Sequence, residues 1–272
     1  MKKFFGIIGE KLGHTFSPQI HERIFKNIGV EGNFDVLEIK KEDFHNTILS
    51  LKTLGCKGIT VTIPYKVDIM KQLDEISEEA RNIGAVNVIS FKDGKAIGYN
   101  SDYYGFGMTL DKFKVKVKSE KAVILGTGGA SKAVVQYLVD NGIDEVVFAT
   151  RNIEEAKSKY PGYKIVNYKE LEELDGFSMV INCTPVGMEP KVDNSPITKE
   201  CIKKFKVAVD IIYNPLETLF LKYAKEEGLV SVNGLYMLVA QAVKAQEFWN
   251  DINIDYKIID PINKEIEDMI GI

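Results

Sequence analysis

A glycine-rich stretch between residues 121 and 138 places the strongest constraint on the fold of this chain. Val123, Ile124 and Leu125 form a short apolar run that is typical of a buried parallel strand. From Ala130 onward the apolar positions follow helical spacing, so the stretch predicts a strand that turns directly into a helix. Glycines in the turn let backbone N–H groups at the positive helix end approach a pyrophosphate. The pattern therefore predicts a cradle for a dinucleotide.

The predicted cradle consists of five consecutive residues, Gly126, Thr127, Gly128, Gly129 and Ala130. The dinucleotide fingerprint G-x-G-x-x-G would place its third glycine at position 131, where this chain has Ser131. A glycine-rich turn in some other α/β protein is the alternative interpretation of the motif taken alone.

The whole chain indicates a globular protein with two domains. Its 272 residues are sufficient for two apolar cores, and its net charge of -4 does not indicate a nucleic-acid partner. The longest uncharged run is too short to cross a bilayer, and the first residues do not resemble a signal peptide, so we expect a cytoplasmic protein without a membrane partner. Three widely spaced cysteines and three histidines without ligand spacing predict neither a disulfide framework nor a metal site.

Strands alternate with helices along the chain, which predicts an α/β fold with two lobes. We expect residues 1–102 to form a first lobe with a mostly parallel sheet that includes a β-hairpin at Asp93-Gly94. Residues 103–234 repeat the alternation as a doubly wound, Rossmann-type dinucleotide-binding domain. Residues 235–272 are largely helical and have no strand partner left in the sequence, so we expect them to pack back on the first lobe.

The end of the second strand in a dinucleotide-binding domain distinguishes the two nicotinamide cofactors. An acidic residue there binds the ribose 2′-hydroxyl of NAD, whereas arginine accommodates the 2′-phosphate of NADP. In this chain the strand ends in Thr150, Arg151 and Asn152, without an acidic residue at the deciding position. The planar guanidinium of Arg151 suits a phosphate, so the sequence favours NADP. A solvated surface arginine is the alternative interpretation.

A first polar cluster precedes the first predicted helix. Ser17 is the predicted N-cap of that helix, and Pro18 stands at its first helical position. The hydroxyls of Thr15 and Ser17 at a helix N-terminus suit a carboxylate or another anion.

Two further polar clusters lie in the first lobe. Strand alternation places Thr60 and Thr62 on one face, and Lys66 follows just beyond the strand. Asn87 and Asp102 belong to the third cluster. Each of these residues taken singly also has an ordinary structural explanation as a cap, a turn residue or a surface lysine.

Taken together and in this order, these clusters resemble the shikimate dehydrogenase family, within the wider group of shikimate and quinate dehydrogenases. The resemblance covers nearly the whole chain. Five further motifs carry it: Gly84-Ala85-Val86-Asn87, Asn100-Ser101-Asp102-Tyr103-Tyr104-Gly105, Asn182-Cys183-Thr184-Pro185-Val186-Gly187-Met188, Tyr213-Asn214-Pro215-Leu216-Glu217-Thr218 and Gly234-Leu235-Tyr236-Met237-Leu238-Val239-Ala240-Gln241-Ala242.

The resemblance implies the reversible, NADPH-dependent reduction of 3-dehydroshikimate to shikimate, a step of chorismate and aromatic amino-acid biosynthesis. It also implies that Lys66 and Asp102 are catalytic, with Lys66 either transferring the proton or stabilising the developing alkoxide. Ile211 and Gly234 would lie beside the nicotinamide. The substrate would be held by Thr15, Ser17, Thr62, Asn87, Asp102, Tyr213 and Gln241.

Three residues depart from the family pattern. Thr15 replaces the usual first serine, Thr60 replaces the usual asparagine, and Glu155 replaces the second arginine of the cofactor loop. The first lobe departures leave open a quinate/shikimate dehydrogenase with relaxed substrate use, and Glu155 leaves open the use of NAD.

Other protein classes fit the sequence less well. Tyr160 and Lys164 match the Tyr-x-x-x-Lys spacing of short-chain dehydrogenases, but Pro161-Gly162 predicts a turn that prevents a shared helical face. A methylenetetrahydrofolate dehydrogenase has a similar two-lobe plan, but the clustered hydroxyls suit a carboxylated polyol better than a folate. A catalytically silent nucleotide-binding regulatory protein is the non-enzymatic alternative. The sequence does not distinguish a monomer from a homodimer.

Overall fold

The computed structural model describes residues 2–13 and 15–271 of the chain. Within these residues twelve β-strands form: β1 Lys3–Gly9, β2 Gly32–Glu38, β3 Cys56–Val61, β4 Glu75–Ile76, β5 Val88–Lys92, β6 Lys95–Tyr99, β7 Lys121–Leu125, β8 Glu145–Ala149, β9 Lys164–Val166, β10 Met179–Asn182, β11 Val207–Asp210 and β12 Val230–Val232. The same residues form eleven α-helices: α1 Ser17–Ile28, α2 Thr47–Thr53, α3 Glu78–Ile83, α4 Ser101–Lys112, α5 Gly129–Asp140, α6 Ile153–Lys159, α7 Tyr168–Leu171, α8 Lys199–Ile202, α9 Leu219–Glu226, α10 Leu235–Asn250 and α11 Ile259–Ile270.

The contacts between residues divide the chain into two compact units. Unit 1 comprises the residues up to Gly105 together with Val239–Asp268, and unit 2 is centred on Phe106–Leu238. Each unit contains one six-stranded sheet. The architecture is therefore α/β in both units, as the alternating pattern of the sequence predicts.

The sheet of unit 1 has the strand order β2-β1-β3-β5-β6-β4. β1 pairs in parallel with β2 and β3, and β4 pairs in parallel with β6. β5 is antiparallel to β3. It is also antiparallel to β6, because Asp93 and Gly94 connect these two strands as a hairpin. The two-residue strand β4 was not predicted, since so short a segment leaves no apolar periodicity in the sequence.

The beginning of α1 differs from the sequence-based prediction. Phe16 occupies the N-cap with φ -91° and ψ 4°, and no side chain caps the helix. The prediction of Ser17 as N-cap is therefore wrong: Ser17 is the first helical residue, and its hydroxyl accepts a hydrogen bond of 3.0 Å from Thr15 Oγ1. The helix ends as predicted at Gly29, which has the left-handed φ of 66°.

Helix α10 is attached to the sheet of unit 1 through Trp249. The indole packs so closely on Gly58 of β3 that a Cβ atom there would lie 2.3 Å from Trp249 Cδ1. The indole Nε1 donates a hydrogen bond of 3.0 Å to the carbonyl oxygen of Ile89 in β5. Glycine at position 58 is therefore a packing requirement of this helix.

The sheet of unit 2 is entirely parallel, in the order β12-β11-β10-β7-β8-β9. This is the order of a Rossmann fold, and the direction of the strand order reverses between β7 and β10. Apolar clusters cover both faces, one around Phe148 and the other around Phe220. Burial on both faces explains why the strands are continuous apolar runs in the sequence.

Three further observations concern membrane-spanning helices, metal ligands and cysteines. Among the described residues no helix is long and apolar enough to cross a membrane. The same residues contain no group of three or more histidine, cysteine or acidic side chains that could hold a metal ion. Cys56, Cys183 and Cys201 are buried and free.

His21 of α1 is a neutral histidine in the core of unit 1. Its ring is fully buried and stacks on Phe34 with 4.1 Å between the ring centroids. The amide Nε2 of Gln246 donates to His21 Nδ1 over 2.8 Å. Burial lowers the pKa of His21 to about 3.

We expect His21 to make unit 1 sensitive to acid. The unfolded chain binds a proton at this histidine below about pH 6.5, whereas the folded chain does not until about pH 3. The contribution of His21 to the free energy of unfolding therefore decreases as the pH is lowered through this window, by at most about 1.4 kcal/mol per pH unit. Urea unfolding at pH 7, 6 and 5, followed by fluorescence of the single tryptophan, measures this slope.

His21→Leu should have a shallower pH dependence than the unaltered chain, even if its stability at pH 7 is lower. His45→Gln provides the matched control, because His45 lies on the surface. Identical slopes for the chain and for His21→Leu would contradict this account of acid sensitivity.

Candidate functional site

Lys66 and Asp102 form an almost buried ion pair in unit 1. The Nζ atom of Lys66 lies 2.5 Å from Asp102 Oδ2, and the two side chains are 13% and 10% exposed. Asp102 is the second residue of α4, where a carboxylate interacts favourably with the helix dipole. Lys66 follows β3 after a short turn, so the pair joins a strand end to a helix start.

Asn87 fixes the orientation of the Asp102 carboxylate. The amide Nδ2 of Asn87 donates to Asp102 Oδ1 over 2.8 Å, while Asn87 Oδ1 accepts from the backbone N–H of Ser101 over 2.7 Å. Asn87 is almost completely buried, so these bonds are shielded from water. Both oxygens of Asp102 therefore have a fixed donor.

The hairpin β5–β6 brings these residues together. The N–H of Asn87 donates to the carbonyl oxygen of Tyr99 over 3.1 Å, which places residue 87 beside the beginning of α4. The N–H of Val86 donates to the carbonyl oxygen of Lys66 over 2.8 Å. Backbone hydrogen bonds thus position both Lys66 and Asn87.

Ser101 connects this cluster to the C-terminal part of unit 1. Its hydroxyl donates to Gln241 Oε1 over 3.1 Å, and it also lies 3.1 Å from Asn87 Nδ2. Ser101 was not predicted as a site residue. The signal was present, because Ser101 lies between Asn100 and Asp102 in a motif that was recognised.

The predicted threonine and serine residues of unit 1 occupy three different settings. Thr15 and Ser17 bond to each other and, in the described part of the chain, not to Lys66 or Asp102. Thr60 is buried within the sheet, where its hydroxyl is directed at the carbonyl oxygen of Gly6, 3.4 Å away. Thr62 follows the end of β3 and is partly exposed.

The predicted cradle of unit 2 lies at the end of β7. Gly126 has the left-handed φ of 90°, and a Cβ atom there would lie 2.7 Å from Thr184 Cγ2. Gly128 is the N-cap of α5, and no side chain caps this helix. Its exposed backbone and the N–H groups of Gly129 and Ala130 therefore stand at a positive helix end that is open to an anion. Thr127 lies within the same turn.

Ser131 is compatible with the third position of the fingerprint. Its hydroxyl donates to the carbonyl oxygen of Gly128 over 2.6 Å and lies 2.7 Å from the hydroxyl of Tyr160. Tyr160 is buried, which raises the pKa of its phenol to about 12. Because Tyr160 is the C-cap of α6 and Lys164 begins β9, these two residues do not share a helix.

The loop after β8 carries the predicted cofactor selector. Thr150 is buried, and its hydroxyl accepts from the N–H of Asn152 over 3.3 Å. Asn152 is the N-cap of α6, so its side chain is committed to the helix. Arg151 is exposed and makes no ion pair within the described part of the chain. Arg151 is therefore available to a ligand.

A buried carboxyl group, that of Asp210, lies at the end of β11 in the sheet of unit 2. Asp210 accepts hydrogen bonds from Asn182 Nδ2, the N–H of Ile212 and Thr218 Oγ1 at 3.0, 3.0 and 2.7 Å. Burial raises its pKa to about 7, although the three donors act in the other direction. Asp210 thereby ties the end of β10 to the segment that follows β11.

Ile211 and Gly234 are in direct contact. A Cβ atom at position 234 would lie 2.1 Å from the carbonyl oxygen of Ile211, and the N–H of Gly234 donates to Ile212 over 2.9 Å. Tyr213 follows in the same loop, and burial raises its pKa. The backbone rather than the side chains sets the shape of this region.

The structure fits a bound nicotinamide dinucleotide. A parallel sheet carries a glycine turn at the point where its strand order reverses, which is where α/β sheets bind such ligands. The uncapped N-terminus of α5 suits a pyrophosphate, and the exposed Arg151 suits a further phosphate group. Together with a nearly buried lysine–carboxylate pair in unit 1, these features define a dinucleotide-dependent oxidoreductase.

Comparisons with known proteins agree with this class. The family model described as the shikimate dehydrogenase substrate binding domain matches residues 7–89, and the model described as shikimate / quinate 5-dehydrogenase matches residues 108–213. A shikimate dehydrogenase (NADP(+)) from Clostridium perfringens is 48% identical over 97% of this chain and 98% of its own length. Another, from Methanocaldococcus jannaschii, is 40% identical over 96% and 98%.

Solved structures show the same relationship. A chorismate mutase/shikimate 5-dehydrogenase fusion protein from Clostridium acetobutylicum has a TM-score of 0.97 and 49% identity, with all of both chains covered. Shikimate 5-dehydrogenase from Thermus thermophilus, in complex with NADP(H) and shikimate, has a TM-score of 0.87 and 29% identity over 97% and 99% of the chains. The chain belongs to the shikimate dehydrogenase family. It is an NADP-dependent oxidoreductase that acts on a CH–OH group.

We expect Gly234→Ala to destabilise unit 2. The new methyl group would overlap the carbonyl of Ile211, and such overpacking costs about 1–3 kcal/mol or more. Urea unfolding followed by circular dichroism measures the loss, and titration with NADP should show weaker binding.

Gly13→Ala is the control, because a Cβ atom at Gly13 would meet nothing within 4 Å. Equal stability and equal NADP affinity of Gly234→Ala and the unaltered chain would refute the packing requirement at Gly234.

Proposed function

We propose that the chain interconverts 3-dehydroshikimate and shikimate, with unit 1 binding the substrate and unit 2 binding NADP. The Lys66–Asp102 ion pair, oriented by Asn87, is the observation that supports this assignment of the reacting centre. When bound, NADPH supplies the hydride. The chain must then bind the ketone and deliver one proton to its oxygen.

Lys66 is the proposed partner of the reacting oxygen. An ammonium group has three N–H donors, and one of them is used by Asp102 Oδ2. The others are available to the oxygen that becomes the hydroxyl of shikimate. Lys66 either transfers this proton or stabilises the developing alkoxide by its charge.

The remaining substrate contacts follow from the family resemblance and remain proposals. Thr15 and Ser17 present adjacent hydroxyls that suit the ring carboxylate. Asn87, Asp102 and Gln241 lie in one hydrogen-bonded cluster, which suits neighbouring ring hydroxyls. Such a site rejects a substrate that lacks a hydroxyl, because the buried polar groups would lose their partners. Thr62 and Tyr213 complete the proposed set.

The proposed cofactor contacts divide between the pyrophosphate and the two ends of NADP. The turn Gly126–Ala130 offers backbone N–H groups to the pyrophosphate. Arg151, supported by Thr150 and Asn152, offers its guanidinium to the 2′-phosphate. Ile211 and Gly234 would lie beside the nicotinamide.

We further propose a cytoplasmic location, which the three free cysteines Cys56, Cys183 and Cys201 support, because thiols stay reduced in that compartment. The oligomeric state is a monomer or a homodimer. Light scattering coupled to size-exclusion chromatography separates a monomer of 30.5 kDa from a dimer of twice that mass.

We expect Lys66→Ala to lower kcat by about 10²- to 10⁴-fold, because the variant lacks both the proton donor and the positive charge that Lys66 provides near the reacting oxygen. NADP affinity should be unchanged, since Lys66 and the cradle belong to different units. Initial rates at 340 nm and a separate NADP titration measure the two quantities.

Lys66→Arg distinguishes the two roles of the lysine, because arginine retains the charge but does not release its proton. Activity of Lys66→Arg well above that of Lys66→Ala would indicate charge stabilisation. Lys71→Ala is the matched control, since Lys71 is an exposed lysine paired with Asp68. Full turnover by Lys66→Ala would remove this residue from the mechanism.

Substrate and cofactor preference are tested by pairing shikimate and quinate with NADP and NAD at matched concentrations. We expect turnover to be fastest with shikimate and NADP. Comparable rates with quinate would show that Thr15 or Thr60 relaxes substrate choice. Absence of turnover with every pair would favour the catalytically silent regulatory protein.

A further inference from the structure

The cofactor loop of this chain contains one arginine where its family resemblance leads us to expect two. Glu155 stands at the second position, but both of its carboxylate oxygens are engaged. Oε1 lies 2.5 Å from Lys159 Nζ, and Oε2 accepts from Asn152 Nδ2 over 2.8 Å. Glu155 is thus largely neutralised within α6. It does not bind a phosphate. Arg151 alone would supply one positive charge to a phosphate that carries two negative charges.

A second cation, Lys132, lies on the first turn of α5, the helix that follows the glycine turn. The Nζ atom of Lys132 is positioned 5.7 Å from the ring centroid of Tyr160. Tyr160 stacks on Phe148 of β8, with 4.1 Å between centroids. Phe148 precedes Thr150 by two residues, so the contact chain from Lys132 leads directly to the strand that ends in the cofactor loop.

Lys132 has no neutralising partner in the described part of the chain. It is partly buried and forms no ion pair there; its aromatic contact is with Tyr160. Burial and, secondly, the charge of Lys159 lower the pKa of Lys132. An unpaired ammonium group beside another cation is unfavourable, and a nearby anion would relieve this repulsion. The neighbourhood of Lys132 and Lys159 therefore favours an anion.

We propose that Lys132 is a specificity-determining residue, whose ammonium group binds the 2′-phosphate of NADP together with Arg151. Lys132 then supplies the charge that Glu155 does not. This inference rests on the proposed placement of the 2′-phosphate at Arg151. It explains how the chain retains NADP use without the second arginine, because the missing charge comes from the helix that follows the glycine turn.

Isothermal titration with adenosine 2′,5′-bisphosphate and adenosine 5′-monophosphate tests the proposal, since the two probes differ only in the 2′-phosphate. We expect Lys132→Gln to weaken binding of the bisphosphate by about 10- to 100-fold, as the loss of a charged hydrogen bond predicts. Binding of the monophosphate should not change. Lys132→Arg should restore most of the bisphosphate affinity.

Lys157→Gln is the matched control, because Lys157 is an exposed lysine of α6 that pairs with Glu154. It should alter neither titration. Equal weakening of both probes by Lys132→Gln would overturn the proposal, since the lysine would then act on the 5′-phosphate or on the fold. Unchanged affinity for both probes would overturn it as well.

The titration involves neither shikimate nor turnover, so it can fail independently of the proposed reaction. Bisphosphate binding that depends on Lys132, in a chain that does not oxidise shikimate, would refute the proposed function alone. This inference alone would be refuted if the chain oxidised shikimate with NADP and its affinity for the bisphosphate did not depend on Lys132.

Discussion

The ion pair between Lys66 and Asp102 determines how unit 1 must be built. Removing two charges from water costs several kcal/mol per ion unless each has fixed partners. The structure provides those partners through Asn87, which holds the second oxygen of Asp102, and through the helix dipole of α4. The hairpin then has to place Asn87 beside the beginning of α4. Much of the chain from Lys66 to Asp102 therefore serves the geometry of one charge pair.

In unit 2, contacts between backbone segments fix the shape of the region around Asp210 and Gly234. Asp210 joins the end of β10 to the segment after β11 through three donors, and Gly234 brings the start of α10 against the carbonyl of Ile211. Neither residue carries the chemistry itself. Their effect is to hold main-chain segments in direct contact with one another.

Sequence patterns predicted those parts of the molecule that depend on local physics. The turn from Gly126 was predictable because glycine, burial and helical spacing coincide within a few residues. The cap of α1 was predicted incorrectly, because a Ser-Pro pair does not determine the backbone of Phe16 before it. Ser101 was missed because its role depends on Gln241, which is 140 residues away. The position of Thr15 relative to Lys66 likewise depends on packing between distant segments that no local pattern encodes.

The packing of Trp249 on Gly58 has a consequence for the synthesis of the protein on the ribosome. Unit 1 is discontinuous, and its core and its polar cluster both require α10. Unit 2 is almost continuous and can fold once Leu238 has emerged from the ribosome. Unit 1 must wait until about 250 residues have been made. Its early strands are therefore exposed to chaperones and to neighbouring chains for the longest time, although they are synthesised first.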